Sequence, residues 1–97
     1  MTMPTIRWTR RALRRLDEIG ATIAAADRAA AARVVGRIVE RIDSLPDNPE
    51  SGRSGRVAGT RELVITDTRY VVAYRLRGNE IEILTILHSA QLWPRAF

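Results

Sequence analysis

Three apolar segments in the second half of this 97-residue chain constrain its fold most strongly. They cover residues 60–66, 69–77 and 80–88, and turn-forming residues separate them. Each segment is rich in β-branched and aromatic residues, a composition typical of strands. The sequence therefore predicts an antiparallel meander that ends on the only histidine of the chain, His88.

The turn between the last two predicted strands sets their register. Residues 78–79 are Gly-Asn, a two-residue hairpin signal. A turn of this length places Arg77 opposite Glu80. Two residues further from the turn, it places Arg75 opposite Glu82. Both are pairs of opposite charge, which supports this register.

The register assigns each residue of these strands to one of two faces. The face expected to carry the helices is nearly all apolar and contains Tyr70, Val72, Tyr74, Leu76, Ile81, Ile83, Thr85 and Leu87. The opposite face contains Arg69, Val71, Ala73, Leu84, Ile86 and His88. On that second face, Arg69 is expected to lie directly across from His88.

A second two-residue turn at residues 67–68 would extend both faces into the first strand. Leu63 and Ile65 would then join the helix side. Glu62 and Val64 would join the side of Arg69 and His88. One additional residue in this turn would exchange the two sets, because side chains alternate along a strand.

The first half of the chain predicts a short strand and two helices. Residues 5–8 are the strand candidate, and Thr9 is a candidate N-cap for a helix over residues 10–25. Apolar residues of this helix recur at intervals of three or four: Leu13, Leu16, Ile19 and Ile23. Asp27 is a candidate N-cap for a second helix over residues 28–45.

The connections complete a prediction of the fold. The helices have almost no linker, so they are expected to form an antiparallel hairpin. Pro46 opens the one long loop, residues 46–59, which carries Arg53 and Arg56. Residues 1–97 are expected to form one α+β domain of order β-α-α-β-β-β, with the helix hairpin packed on one face of an antiparallel sheet.

Composition excludes several classes of function. The chain has no cysteine and one histidine, which excludes disulfides, thiolate zinc sites and multi-histidine metal sites. No apolar run reaches the ~18–20 residues needed to cross a bilayer, so a cytoplasmic protein without metal or other cofactor is expected. The net charge of +5, with every cation an arginine, favours an acidic partner.

The second face of the sheet has no element left to cover it except residues 89–97. The expectation is an exposed apolar patch, bordered by Arg69 and His88, of the kind that marks interaction sites. Its members are Val64, Val71, Ala73, Leu84 and Ile86. In the alternative, Trp93 and Phe97 fold back over this face.

Element order and three segments together resemble the RelE/ParE superfamily of toxins from type II toxin–antitoxin modules. The segments are Gly-Thr-Arg-Glu-Leu-Val-Ile at 59–65, Tyr-Val-Val-Ala-Tyr-Arg at 70–75 and Glu-Ile-Glu-Ile-Leu-Thr-Ile-Leu-His at 80–88. The loop Asn-Pro-Glu-Ser-Gly-Arg at 48–53 is also similar to a superfamily loop. The resemblance implies a small basic toxin that a cognate antitoxin binds and neutralises in a hetero-oligomer.

The resemblance leaves an enzymatic mechanism open. RelE-like members cut mRNA in the ribosomal A site with basic groups and an aromatic residue. Those catalytic positions fall on Glu62, Val64, Val71, close to Gln91 and close to Phe97. His88 as general acid or base and Arg69 as a phosphate ligand remain the candidates for such cleavage.

The resemblance favours a second mechanism, the non-catalytic poisoning of DNA gyrase by ParE-like members, whose strands are similar to residues 71–75 and 82–88. An apolar second face suits protein binding better than phosphate chemistry. The predicted antitoxin- or target-binding residues are Val64, Val71, Ala73, Leu84, Ile86, Arg53, Arg56, Gln91 and Trp93. A nontoxic nucleic-acid-binding module is a weaker hypothesis, because no helix-turn-helix, RNP or KH pattern is present.

Overall fold

The computed structural model describes residues 2–91 and 93–97. The elements are β1 (Thr5–Trp8), α1 (Arg10–Ala24), α2 (Arg28–Asp43), a 3-10 turn (Leu45–Asp47), β2 (Arg53–Ser54), β3 (Arg61–Val64), β4 (Tyr70–Arg77) and β5 (Glu80–His88). The predicted α+β order is confirmed. The long loop also contributes a two-residue strand, β2, which the sequence pattern did not predict.

Both predicted helix starts are confirmed by their capping hydrogen bonds. The side chain of Thr9 accepts a hydrogen bond from Ala12 N, and that of Asp27 accepts one from Ala30 N. The helices pack closely, since a Cβ on Gly20 would lie 3.3 Å from a side-chain carbon of Val35. Among the described residues, no helix is both long and apolar enough to cross a bilayer.

The buried stripe of α1 differs by one position from the predicted stripe. Ala12, Leu16, Ile19 and Ile23 face the core, at spacings of four, three and four residues. Leu13 instead leaves 48% of its surface exposed. The expectation that Leu13 belongs to the core is therefore wrong, because the small Ala12 occupies the position closest to the sheet.

The strands form one five-stranded sheet of order β1-β5-β4-β3-β2. β1 runs parallel to β5, and the other neighbours are antiparallel. Arg75 pairs with Glu82, which confirms the predicted register beside the turn at 78–79. Leu63 pairs with Val72, which confirms the register expected from a two-residue turn at 67–68.

A β-bulge in β5 changes the register in the second half of the last hairpin. Tyr74 lies opposite Ile83 and Ala73 lies opposite Thr85, so Leu84 is the extra residue. Every later residue of β5 is displaced by one position relative to β4, and its side chain is therefore on the other face.

Four predicted positions are corrected by this displacement. Ile86 pairs with Val72 in the core under the helices, rather than joining the second face. Thr85 and Leu87 take the second face instead. His88 lies opposite Tyr70 on the helix side, so the expected cross-strand pair of Arg69 and His88 is wrong.

The bulge lies where the chain leaves the sheet to start α1. The hydroxyl of Thr9 donates to the carbonyl oxygens of Ile83 and Leu84, at 2.8 and 3.0 Å. The same oxygen caps the helix by accepting from Ala12 N at 3.1 Å. One side chain therefore caps the helix and contacts both carbonyls at the bulge, and the Ile83 carbonyl also accepts a hydrogen bond from the backbone N of Thr9 at 3.2 Å.

The core lies between the helix hairpin and the sheet, and Tyr74 is its largest fully buried side chain. The Tyr74 hydroxyl accepts a hydrogen bond from Gly52 N at 2.9 Å and donates one to Pro49 O at 2.8 Å. A Cβ on Gly52 would lie 2.7 Å from the tyrosine ring, so glycine permits this approach. The loop before β2 is thereby fixed to the sheet.

Replacement of Ile86 and of Leu13 tests which of the two apolar residues belongs to the core. Ile86→Ala should lower the free energy of unfolding by about 2–5 kcal/mol, because the residue is fully buried in the core. The matched control Leu13→Ala should change it by less than about 0.5 kcal/mol, because this residue of α1 is exposed. Urea denaturation followed by circular dichroism measures both. Equal losses for the two variants would contradict the assignment of Ile86 to the core and of Leu13 to the surface.

Candidate functional site

The second face of the sheet is buried rather than exposed. Val71 and Ala73 leave only 4% and 0% of their surfaces accessible, and Leu84 leaves 8%. Of the predicted patch, Val64 alone is exposed, at 41%. The expectation of an open apolar patch is therefore wrong.

We infer that the C-terminal segment, residues 93–97, covers this face, because the helices pack on the other face of the sheet. At one end of the segment, the Arg56 guanidinium lies 4.0 Å from the centre of the Trp93 ring. At the other end, the Arg11 guanidinium lies 5.8 Å from the centre of the Phe97 ring. Arg56 precedes β3 and Arg11 belongs to α1 beside β5, so the two ends of the segment are held at opposite sides of the sheet. These contacts favour the alternative in which Trp93 and Phe97 fold back.

Glu62 places a buried carboxylate under one end of this segment. Its Oε1 accepts hydrogen bonds from Arg53 Nε and Nη2 at 3.2 and 3.0 Å. Its Oε2 accepts one from the backbone N of Arg56 at 2.7 Å. Paired in this way, the charge is compensated despite 2% exposure of the residue. Arg56 therefore contacts both Glu62 and the ring of Trp93.

A second buried carboxylate, Glu82, lies at the opposite side of the same face. It is bracketed by Arg7 from β1 and Arg75 from β4, both in ion-pair contact. Glu80 pairs with Arg7 at 3.0 Å rather than with its cross-strand neighbour Arg77. The predicted Arg75–Glu82 pair is thus confirmed, whereas the contribution of Arg7 depends on the parallel β1.

His88 ends β5 in a locally satisfied turn. Its ring packs edge-on against Tyr70, with ring centres 5.4 Å apart. Its Nδ1 accepts a hydrogen bond from Ala90 N at 3.1 Å, and its backbone N donates to Gln91 Oε1 at 3.0 Å. Arg69 is exposed in the preceding turn, where its carbonyl accepts from Ser89 N at 2.7 Å. The side chains of Arg69 and His88 thus lie at the same end of the sheet but on opposite faces.

The structure brings together only part of the predicted binding set. Arg53, Arg56 and Trp93 form one cluster around Glu62, and Val71, Ala73 and Leu84 lie in the buried sheet. Ile86 belongs to the core, and Val64 and Gln91 are exposed. The sequence analysis missed the burial of Glu62 and Glu82 and the arginine partners of Glu62. A glutamate in an apolar strand of an arginine-rich chain could have indicated both.

Comparison with known proteins identifies the family. Residues 6–93 match the family model described as "ParE toxin of type II toxin-antitoxin system, parDE". The chain is 54% identical over 95 residues to "Putative toxin Y4kP" of Sinorhizobium fredii, covering 98% of each chain. It is 37% identical over 90 residues to "Toxin RelE2" of Caulobacter vibrioides, covering 93% of this chain and all of the relative.

A solved structure is also similar. It is titled "Chromosomal ParDE TA system from P. aeruginosa" and superimposes with a TM-score of 0.82 at 31% identity. The match covers 89% of this chain and 96% of the other. At this identity and coverage the likeness extends to the whole arrangement of helices and strands.

Replacement of Trp93 tests whether the C-terminal segment covers the sheet. Trp93→Ala should lower the free energy of unfolding by about 1–3 kcal/mol, because it removes apolar contact area and the partner of Arg56. The matched control Arg95→Ala, at an exposed position of the same segment, should change it by less than about 0.5 kcal/mol. Thermal unfolding measures both, and a neutral Trp93→Ala would contradict the covering role.

Proposed function

The chain belongs to the ParE family of toxins from type II toxin–antitoxin systems, and from that premise we propose that it inhibits growth by poisoning DNA gyrase without catalysis. Its partner is a cognate antitoxin. We further propose that the two form a hetero-oligomer in the cytoplasm, where gyrase acts. No cofactor is needed for this activity.

The environment of His88 carries the proposal. Cleavage of RNA requires a base near the 2′-hydroxyl, an acid for the leaving oxygen and cations for the phosphorane. The Nδ1 of His88 already accepts a local backbone hydrogen bond, and its ring packs on Tyr70. Arg69 lies on the opposite face of the sheet, so its guanidinium and the His88 ring do not converge on one phosphate. This separation favours a toxin that acts by binding.

The positions implied by the likeness to RelE support the same proposal. Glu62 is neutralised between Arg53 and Arg56, and it is a carboxylate where the nuclease would hold a cation. Val64 and Val71 carry no proton-transfer group at all. A surface of this composition suits protein binding better than it suits stabilising the negative charge that develops on a transferring phosphoryl group.

The burial of the second face restricts how the predicted binding residues could act. Val71, Ala73 and Leu84 can contact a partner only if residues 93–97 move away from the sheet. Val64 and Gln91 are accessible without such a movement, and we keep them as binding candidates. Ile86 would contribute through the core rather than by contact. Antitoxin binding and target binding could therefore depend on the same C-terminal segment.

An in vitro assay tests the proposed target. The purified chain should inhibit supercoiling by DNA gyrase, and prior addition of the cognate antitoxin should restore it. His88→Ala should inhibit as well as the wild type, because the proposal assigns His88 no chemistry. Unchanged supercoiling at micromolar excess of toxin would sink the gyrase proposal.

Ribosome-dependent mRNA cleavage is the alternative, and one observation favours it. The second ring nitrogen of His88, Nε2, makes no hydrogen bond to the described residues, and imidazole is suited to proton transfer near neutral pH. On this alternative, induction of the toxin should produce new A-site cuts in translated mRNA by primer extension. His88→Ala and Arg69→Ala should abolish them, whereas full toxicity of His88→Ala would exclude this mechanism.

A further inference from the structure

A cleft lined by three arginines lies between the first turns of α1 and the outer side of β5. Its volume is about 240 Å³. The lining residues are Arg11, Arg14, Arg15, Glu18, Thr85, Ile86, Leu87 and Gln91. The cleft lies past the end of β1, which pairs with β5 only as far as Ile83. On this edge, the part of β5 beyond Ile83 is therefore bordered by α1 and not by another strand. The cleft opens beside that part of β5.

The arginines of this helix are placed where they oppose folding. Arg10, Arg11, Arg14 and Arg15 occupy the first two turns of α1, and no acidic residue lies in the first turn. The positive end of the helix dipole disfavours cations in the first turn, which holds Arg10 and Arg11. Arg10 with Arg14, and Arg11 with Arg15, are also like-charge pairs at i,i+4 spacing, which repel.

Contacts within the chain compensate this charge only in part. Arg15 Nε donates to Ile86 O at 3.1 Å, and Arg11 lies over Phe97. Within residues 2–91 and 93–97, neither Arg11 nor Arg14 forms an ion pair. Stability of the fold therefore accounts for Arg11 only through its contact with Phe97, and for Arg14 through no hydrogen bond or ion pair among the described residues. An anionic ligand would account for both arginines.

We propose that this cleft binds aspartate or glutamate side chains of an acidic segment of the cognate antitoxin. Guanidinium groups hold carboxylates through paired hydrogen bonds. Gln91 adds a donor, because its Oε1 accepts from His88 N while its Nε2 donates to no described residue. The proposal rests on membership of the toxin family and is independent of gyrase as the target.

The composition of the cleft favours a protein segment over a nucleic acid. A phosphodiester backbone requires a continuous row of cations, and Glu18 interrupts the row one turn after Arg14. The exposed ring of Phe97 beside Arg11 adds an aromatic surface, and aromatic residues with arginine are enriched in protein–protein interfaces. Partial enclosure also suits single carboxylate side chains.

Charge reversal on the two helices provides a matched test. The first variant is Arg11→Glu with Arg14→Glu, and the control is Arg28→Glu with Arg33→Glu on α2, where both arginines are exposed. The two variants change the net charge equally, so a long-range effect would weaken both. Affinity for the full-length cognate antitoxin is measured by titration calorimetry at low and high salt.

The proposal expects a large loss for the α1 variant only. Its dissociation constant for the antitoxin should rise by at least about 30-fold, because carboxylates would face carboxylates. The α2 control should change by less than about threefold. Binding by the wild type should weaken with salt more steeply than binding by the α1 variant, which has lost the attractive contacts.

Stability separates a binding role from a folding role. The α1 variant should stay folded and melt within a few degrees of the wild type, because a carboxylate at position 11 interacts favourably with the helix dipole and offsets the lost contact with Phe97. Arg14→Gln serves as a second variant that removes the charge but keeps a polar side chain, and its affinity should also fall. Antitoxin affinities within threefold of the wild type for both variants would overturn the proposal.

Discussion

The composition of both faces of the sheet depends on the bulge in β5, which the hydrogen bonds of Thr9 stabilise. One hydroxyl caps α1 and contacts the carbonyls of Ile83 and Leu84, where β5 bulges. The bulge displaces every later residue of β5 by one position, so Ile86 enters the core and Leu87 takes the second face. The contacts of the Thr9 hydroxyl therefore link the end of β1 and the start of α1 to the bulge that sets which residues of β5 lie on each face.

The second face forms a second, smaller core that combines apolar side chains with ion-paired carboxylates. Apolar side chains of β4 and β5 lie between two buried carboxylates, Glu62 and Glu82, each held by two arginines. Residues 93–97 complete this layer, fixed through Arg56 and Arg11. Because burial of an unpaired carboxylate is costly, these arginines are structural partners first, which leaves few cations on this face for phosphate chemistry.

The positive charge available for recognition is concentrated elsewhere, on the first two turns of α1. This helix stays folded despite the charge because its apolar stripe packs against the sheet and Thr9 caps its start. The toxin fold thus separates two tasks. The covered sheet supplies stability, and on our proposal the charged helix surface receives an acidic segment of the antitoxin.

Sequence alone determined the order of the elements other than β2, both N-caps, the turns at 67–68 and 78–79 and the pair of Arg75 with Glu82, because these depend on neighbouring residues. It also carried the resemblance to the toxin superfamily. The bulge at Leu84 was not predictable, because the alternation of apolar residues in β5 reads equally well with or without an extra residue. Only the tertiary structure decided that His88 faces Tyr70, that Arg7 reaches Glu82 and that Trp93 covers the sheet. The physical reason is that these contacts join residues distant in sequence. The position of His88 also follows from the bulge in β5, which the distant residue Thr9 stabilises.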